Sequence, residues 1–172
     1  MKFAGCAFLF FLFTFLGVYA SSQLDKRIRQ LKSLEKAFFF MKREIDYRLS
    51  PLGVTLLHTG EKMDYPWNLF FSEAGKHFQE RREGLCCPDE IFRKELEKIR
   101  FFHPWEKDLE VLIRLGKSLG ELDKKMQIMQ LSMAEEEIRG LLEEAVEEKK
   151  TKGKLYRTLG MSMGILSVIL VL

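Results

Sequence analysis

Cysteine is scarce in this chain, with three in 172 residues. Cys6 sits in an apolar run, and Cys86 and Cys87 are adjacent, which is a poor disulfide framework. The pattern argues for a reducing compartment and against a stapled secreted fold. Neither thiol has partners at zinc-ligand spacing, and the histidines His58, His77 and His103 are scattered, so no metal is expected. Proline is nearly as rare. Pro51, Pro66, Pro88 and Pro104 all lie in the middle, and none follows, so a helix can run unbroken through the last third. Runs that alternate with period two between turn dipeptides are missing, which removes the signal for strands. No basic stripe interleaved with aromatics accompanies the net charge of +3, which argues against nucleic acid. No phosphate-binding glycine loop, His-Glu-x-x-His or Cys-x-x-Cys occurs, so neither an enzyme nor a bound cofactor is expected.

What is present is helical periodicity bracketed by apolar ends. Residues 1–20 are apolar and rich in phenylalanine, close to the minimum that spans a bilayer. Val18-Tyr19-Ala20 before Ser21 also suits a cleaved signal peptide. The flanks favour a retained span: only Lys2 precedes it, whereas Lys26, Arg27, Arg29, Lys32 and Lys36 follow. A second cationic cluster, Lys149, Lys150, Lys152, Lys154 and Arg157, precedes the apolar end at 155–172. Both clusters place residues 21–154 in the cytoplasm and both termini outside. In the terminal run, Gly160 and Gly164 have the spacing that lets two membrane helices approach, either the first segment or another copy of the chain.

Between the spans the spacing predicts about six helices, an all-α antiparallel bundle. The first, about 22–49, carries Leu24, Ile28, Leu31, Leu34, Phe38, Met41, Ile45 and Leu49 on one stripe. The others open near the prolines, with Ser50 as the expected cap at Pro51, over about 51–59, 66–82, 88–101 and 104–119. The sixth starts near Glu121. Its expected seam holds Leu122, Met126, Met129 and Met133, then Leu131, Ala134, Ile138, Leu141 and Ala145. The glutamates from Glu135 to Glu148 fall mostly opposite that seam and read as a solvated face. His103 reads as shaping a helix start rather than as a ligand.

Two stretches are more specific. One is Leu115-Gly116-Lys117-Ser118-Leu119-Gly120-Glu121-Leu122-Asp123, followed by Gln127. The other is Lys152-Gly153-Lys154-Leu155-Tyr156-Arg157-Thr158-Leu159-Gly160 before the apolar end. Together they resemble the stage III sporulation protein AB family of endospore-forming bacteria. Pro51-Leu52 and Pro66-Trp67-Asn68-Leu69-Phe70-Phe71 fit the same pattern. The resemblance implies a mother-cell membrane protein, facing the forespore, in a complex that looks like type II secretion and type IV pilus systems. In that scheme the chain is a non-enzymatic platform. Its partners are a secretion-type ATPase from the same operon, other members of the complex, and a second copy as an open possibility. Gly116, Gly120, Asp123 and Gln127 are the candidate partner-binding residues, and Gly160 and Gly164 the membrane-packing pair. The rival readings are an anchored cytoplasmic enzyme and a secreted helical protein.

Overall fold

The structure, a computed structural model, describes residues 2–48, 50–80, 88–103, 105–119 and 123–171. The side chains of 2–10, 13, 157, 160, 161, 164 and 167–171 lie outside that description. Among the described residues every regular element is a helix: α1 (Lys2–Arg48), α2 (Leu52–Gly60), α3 (Trp67–Glu80), α4 (Pro88–Ile99), α5 (Glu106–Leu119) and α6 (Lys124–Val171). Two compact units divide the chain, Met1–Arg29 with Glu143–Leu172, and Gln30–Leu142.

The second unit is built on the stripe of α1. Leu31, Leu34, Phe38 and Met41 are fully buried, at the three- and four-residue steps of one helical face. Glycine brings α2 and α3 together. A Cβ on Gly75 would lie 2.8 Å from the Leu57 nitrogen and 2.9 Å from the Gly53 oxygen, so backbone meets backbone there. Gly60 faces Ser72 and Asn68 in the same way. The adjoining face of α3 carries large side chains into the core: Trp67, Phe70 and Phe71 are fully buried, with Ala74 beside them. Phe70 meets Phe92 of α4 edge to face, with centroids 5.2 Å apart, which carries the aromatic core from α3 into α4. α1 and α6 run antiparallel along this unit. Glu35 pairs with Arg139 at 3.1 Å, Lys42 with Glu135, and Asp46 with Lys124 at 3.2 Å.

In the first unit, Arg27 is buried and reaches Glu148 at 3.3 Å, and Asp25 pairs with Lys149. Gly153 is buried, and its missing Cβ would stand 3.6 Å from the Ser21 hydroxyl. Leu24 and Ala145 are buried beside these pairs, whereas the apolar side chains toward the two ends face outward. Phe11 and Phe15 are each 70% exposed and Leu166 is 66% exposed.

Three expectations need correction. Met126, Met129 and Met133 are not core, being 41%, 46% and 61% exposed. The working seam of α6 is Leu131, Ala134, Ile138 and Ala145, and the methionines lie roughly a third of a turn away from it. α6 carries two apolar stripes and has only one core to face. Leu141, on the edge of the true seam, is half-buried. Ser50 does not cap α2: Pro51 holds the N-cap position and its carbonyl accepts from Thr55 N at 3.0 Å. The bracketing spans are also without support here. Among the described residues no helix is long and apolar enough to cross a membrane, although much of both expected spans falls on side chains outside the description. Leu49, Cys86, Cys87, Gly120 and Leu122 lie outside it as well.

Candidate functional site

The junction of α5 and α6 carries the residues singled out by sequence, and each described one has an internal task. Gly116 is buried in α5 beneath Phe92 of α4. A Cβ added there would lie 2.7 Å from Phe92 Cγ and 2.8 Å from its Cβ. The missing side chain is what lets the Phe92 ring lie across α5. Asp123 stands one residue before α6, where its Oδ1 accepts from Met126 N at 2.9 Å while its carbonyl accepts from Gln127 N. It is the N-cap, and α6 begins after it at Lys124 rather than near Glu121 as expected. Gln127 reaches back and donates from Nε2 to the Leu119 carbonyl at 3.2 Å, satisfying an orphan acceptor at the end of α5. Asp123 is exposed, Gln127 is half-buried and Gly120 lies outside the described residues. The end of α5 and the start of α6 are therefore braced against each other, and Asp123, Lys124 and Lys125 face solvent.

A buried polar cluster escaped the sequence reading. His103 is fully buried, with Nδ1 2.7 Å from Gln30 Oε1 and Nε2 3.0 Å from Asp108 Oδ2. Gln30 donates from Nε2 to the Phe102 carbonyl at 3.3 Å, which fixes which end of its amide meets the histidine. Trp67 donates from its indole to the Gln30 carbonyl at 2.9 Å and packs on the histidine ring at a tilt of 57°, and Trp105 meets the same ring edge-on. Both ring nitrogens of His103 have a partner, so the cluster fastens the α4–α5 connection to α1 and α3. The available signal was Gln30, a polar residue on the apolar side of α1.

Among the described residues no group of three His, Cys, Asp or Glu side chains could hold a metal ion. Residues 160–164, Gly-Met-Ser-Met-Gly, do spell Gly-x-Ser-x-Gly. They lie inside the continuous helix α6, whereas the nucleophile of that motif needs a sharp strand-to-helix turn. Gly160 and Gly164 are thus on α6, and their surroundings are outside the description.

The family model described as "Stage III sporulation protein AB (spore_III_AB)" matches residues 2–172. The chain belongs to that family. A curated relative, "Stage III sporulation protein AB" of Bacillus subtilis (strain 168), is 22% identical over 173 residues, spanning 100% of this chain and 99% of that protein. A solved structure of "Stage III sporulation protein AB (SpoIIIAB)" superposes with a TM-score of 0.63 at 21% identity, covering 72% of this chain and 96% of the other. The resemblance read from the two C-terminal stretches is the right one, and the all-helical fold is shared. The names of these relatives denote sporulation proteins and no catalytic activity.

Proposed function

We propose that this chain is a membrane-anchored, non-enzymatic scaffold of the sporulation complex, with residues 30–142 as a cytoplasmic platform on which a secretion-type ATPase docks. The observation that carries the anchoring is the outward apolar surface of the first unit. Phe11, Phe15, Leu16, Val18 and Tyr19 on α1 and Leu155, Leu159, Met163, Ile165 and Leu166 on α6 are all about half or more exposed. In water such a surface demands a cover, and a bilayer supplies one. Lysines and arginines inboard of both apolar ends favour a cytoplasmic middle. Lys149 and Lys152 keep that bias although they pair with Asp25 and Glu148, because the rule counts cations and not net charge. The complex lies in the mother-cell membrane facing the forespore, as its family membership suggests.

The docking surface is the exposed start of α6 at Asp123, Lys124 and Lys125, with Gly116, Asp123 and Gln127 bracing the ends of α5 and α6 beside it; Gly120 remains a candidate from the sequence. Reporter fusions at Lys2, Glu95 and Leu172 test the topology: a cytoplasmic signal from either end rules out the two-span anchor. Co-purification with the ATPase tests the docking. Asp123→Asn preserves an acceptor for the cap but removes the charge, so loss of capture with unchanged melting supports docking at this surface. Capture unchanged by Asp123→Asn and by Lys124→Glu with Lys125→Glu ends it.

A further inference from the structure

The long helices leave two ridges of the second unit uncovered, and they are opposite in character. On α1, Lys32, Lys36, Phe39, Arg43 and Tyr47 follow one another at steps of four, three, four and four, and all are exposed. Arg43 lies over the Phe39 ring at 5.6 Å and the Tyr47 ring at 5.7 Å, which fixes a basic, aromatic ladder. On α6, Met126, Met129, Met133, Glu136, Glu137 and Gly140 are all exposed along one line. Gly140 has nothing within 4 Å of where its Cβ would be, so the space above it is open.

We propose that the α1 ridge of one copy of this chain docks on the α6 ridge of a second copy, antiparallel, to form a homo-oligomer. Charge and shape both select this occupant. Reading up α1 and down α6, Lys32 falls opposite Gly140, Lys36 opposite Glu136 and Glu137, Phe39 opposite Met133, Arg43 opposite Met129 and Tyr47 opposite Met126. Cations meet carboxylates at one end, and aromatic rings meet adaptable thioethers at the other, a favourable pairing in itself. Parallel docking would set Lys32 and Lys36 on methionines and bring only Arg43 to Glu136 and Glu137, of which Glu137 is already paired with Arg114 of its own copy. The register is one the chain already uses, since Glu35 with Arg139 and Asp46 with Lys124 pair α1 with α6 within a single copy. The methionines, rejected by the core, acquire a role as contact surface.

Gly140 supplies the test, because any side chain fits there within the copy and helix propensity improves. The full-length protein in detergent micelles, followed by sedimentation and by fluorescence transfer between labelled copies, should self-associate and dissociate as salt rises. Gly140→Lys faces Lys32 and should weaken association about tenfold, whereas Gly140→Glu should strengthen it severalfold. Lys32→Glu with Lys36→Glu in one preparation, and Glu136→Lys with Gly140→Lys in another, should each stay apart alone and associate when mixed. Equal association of the two Gly140 variants, or no recovery on mixing, overturns the proposal, because association through the membrane helices would be blind to these charges. So does a parent chain that stays monomeric while Gly140→Lys still disrupts the complex in sporulating cells, an outcome that gives the ridge to a different protein.

Discussion

Phenylalanine meets opposite fates in the core of the second unit and in the first unit. In residues 30–142, Phe38, Phe70, Phe71 and Phe92 are wholly buried, with Phe39 and Phe101 left at the surface, whereas Phe11 and Phe15 in the first unit are each 70% exposed. The side chain is the same, so hydrophobicity alone does not decide what is core. What differs is the surrounding pattern. Phe38 belongs to a stripe one face wide with Lys36, Lys42 and Arg43 around it, so burying that face leaves charge outside. Phe11 and Phe15 sit among residues apolar on every side, and no way of turning that helix hides them all. A helix of the first kind needs other helices, and one of the second kind needs a different solvent.

The sharpest way to break this comparison is to truncate one phenylalanine of each kind. Phe92→Ala removes a ring packed on Phe70 and laid over Gly116, and should cost about 3–5 kcal/mol by denaturant melting of the full chain in detergent. Phe15→Ala should change the same melt by less than about 0.5 kcal/mol. Equal losses would mean that the first unit packs its phenylalanines as the second does, and would remove the case for lipid.

Glycine sharpens the contrast within the second unit. Gly75→Ala would push a methyl against the backbone of α2, and the hairpin can yield only by separating, at about 1–3 kcal/mol. Gly140→Ala enters open space and should stabilise by up to about 1 kcal/mol, as a helix interior gains from losing glycine. Thermal melting of the two variants should move in opposite directions. At the start of α6, Asp123→Ala removes the cap on Met126 N and should lower stability by about 1 kcal/mol. An unchanged melt would leave Asp123 free for a partner alone.

These contrasts also mark how far the sequence could be read. The α1 stripe from Leu31 to Ile45 and the α3 aromatics were legible because one face alone is apolar, and helix starts near prolines came within two residues. The α6 seam was misread because Met126, Met129 and Met133 satisfy the same spacing rule as Leu131, Ala134 and Ile138. Periodicity finds stripes but cannot choose between two on one helix. The His103 cluster was illegible for a different reason. Gln30, His103 and Asp108 come together from α1, a loop and α5, and no local rule joins positions so far apart in sequence. At the candidate site, Asp123 was legible as a helix-start residue, but the Phe92 ring over Gly116 is a tertiary contact that sequence does not announce.

The smallest expected effect lies at the α1–α2 corner and depends on pH. Glu44 accepts from His58 Nδ1 at 2.7 Å and pairs with Arg48 at 3.1 Å. The His58 hydrogen bond, helped by the charge of Arg48, holds the Glu44 carboxyl below its ordinary value of 4.5 against the opposing effect of burial. A carboxyl held low in the folded state binds its proton more weakly than the unfolded chain does. Its contribution to stability is therefore present above pH 4.5 and drains away as pH falls through the lowered folded value. Glu44→Gln should then cost stability at neutral pH, and the gap from the parent should narrow as the solution is acidified past the ordinary carboxylate range. Denaturant midpoints for both proteins, measured at a series of pH values, read this directly. A gap that stays constant down to the acid limit would mean that Glu44, buried between α1 and α2, acts through packing more than through charge.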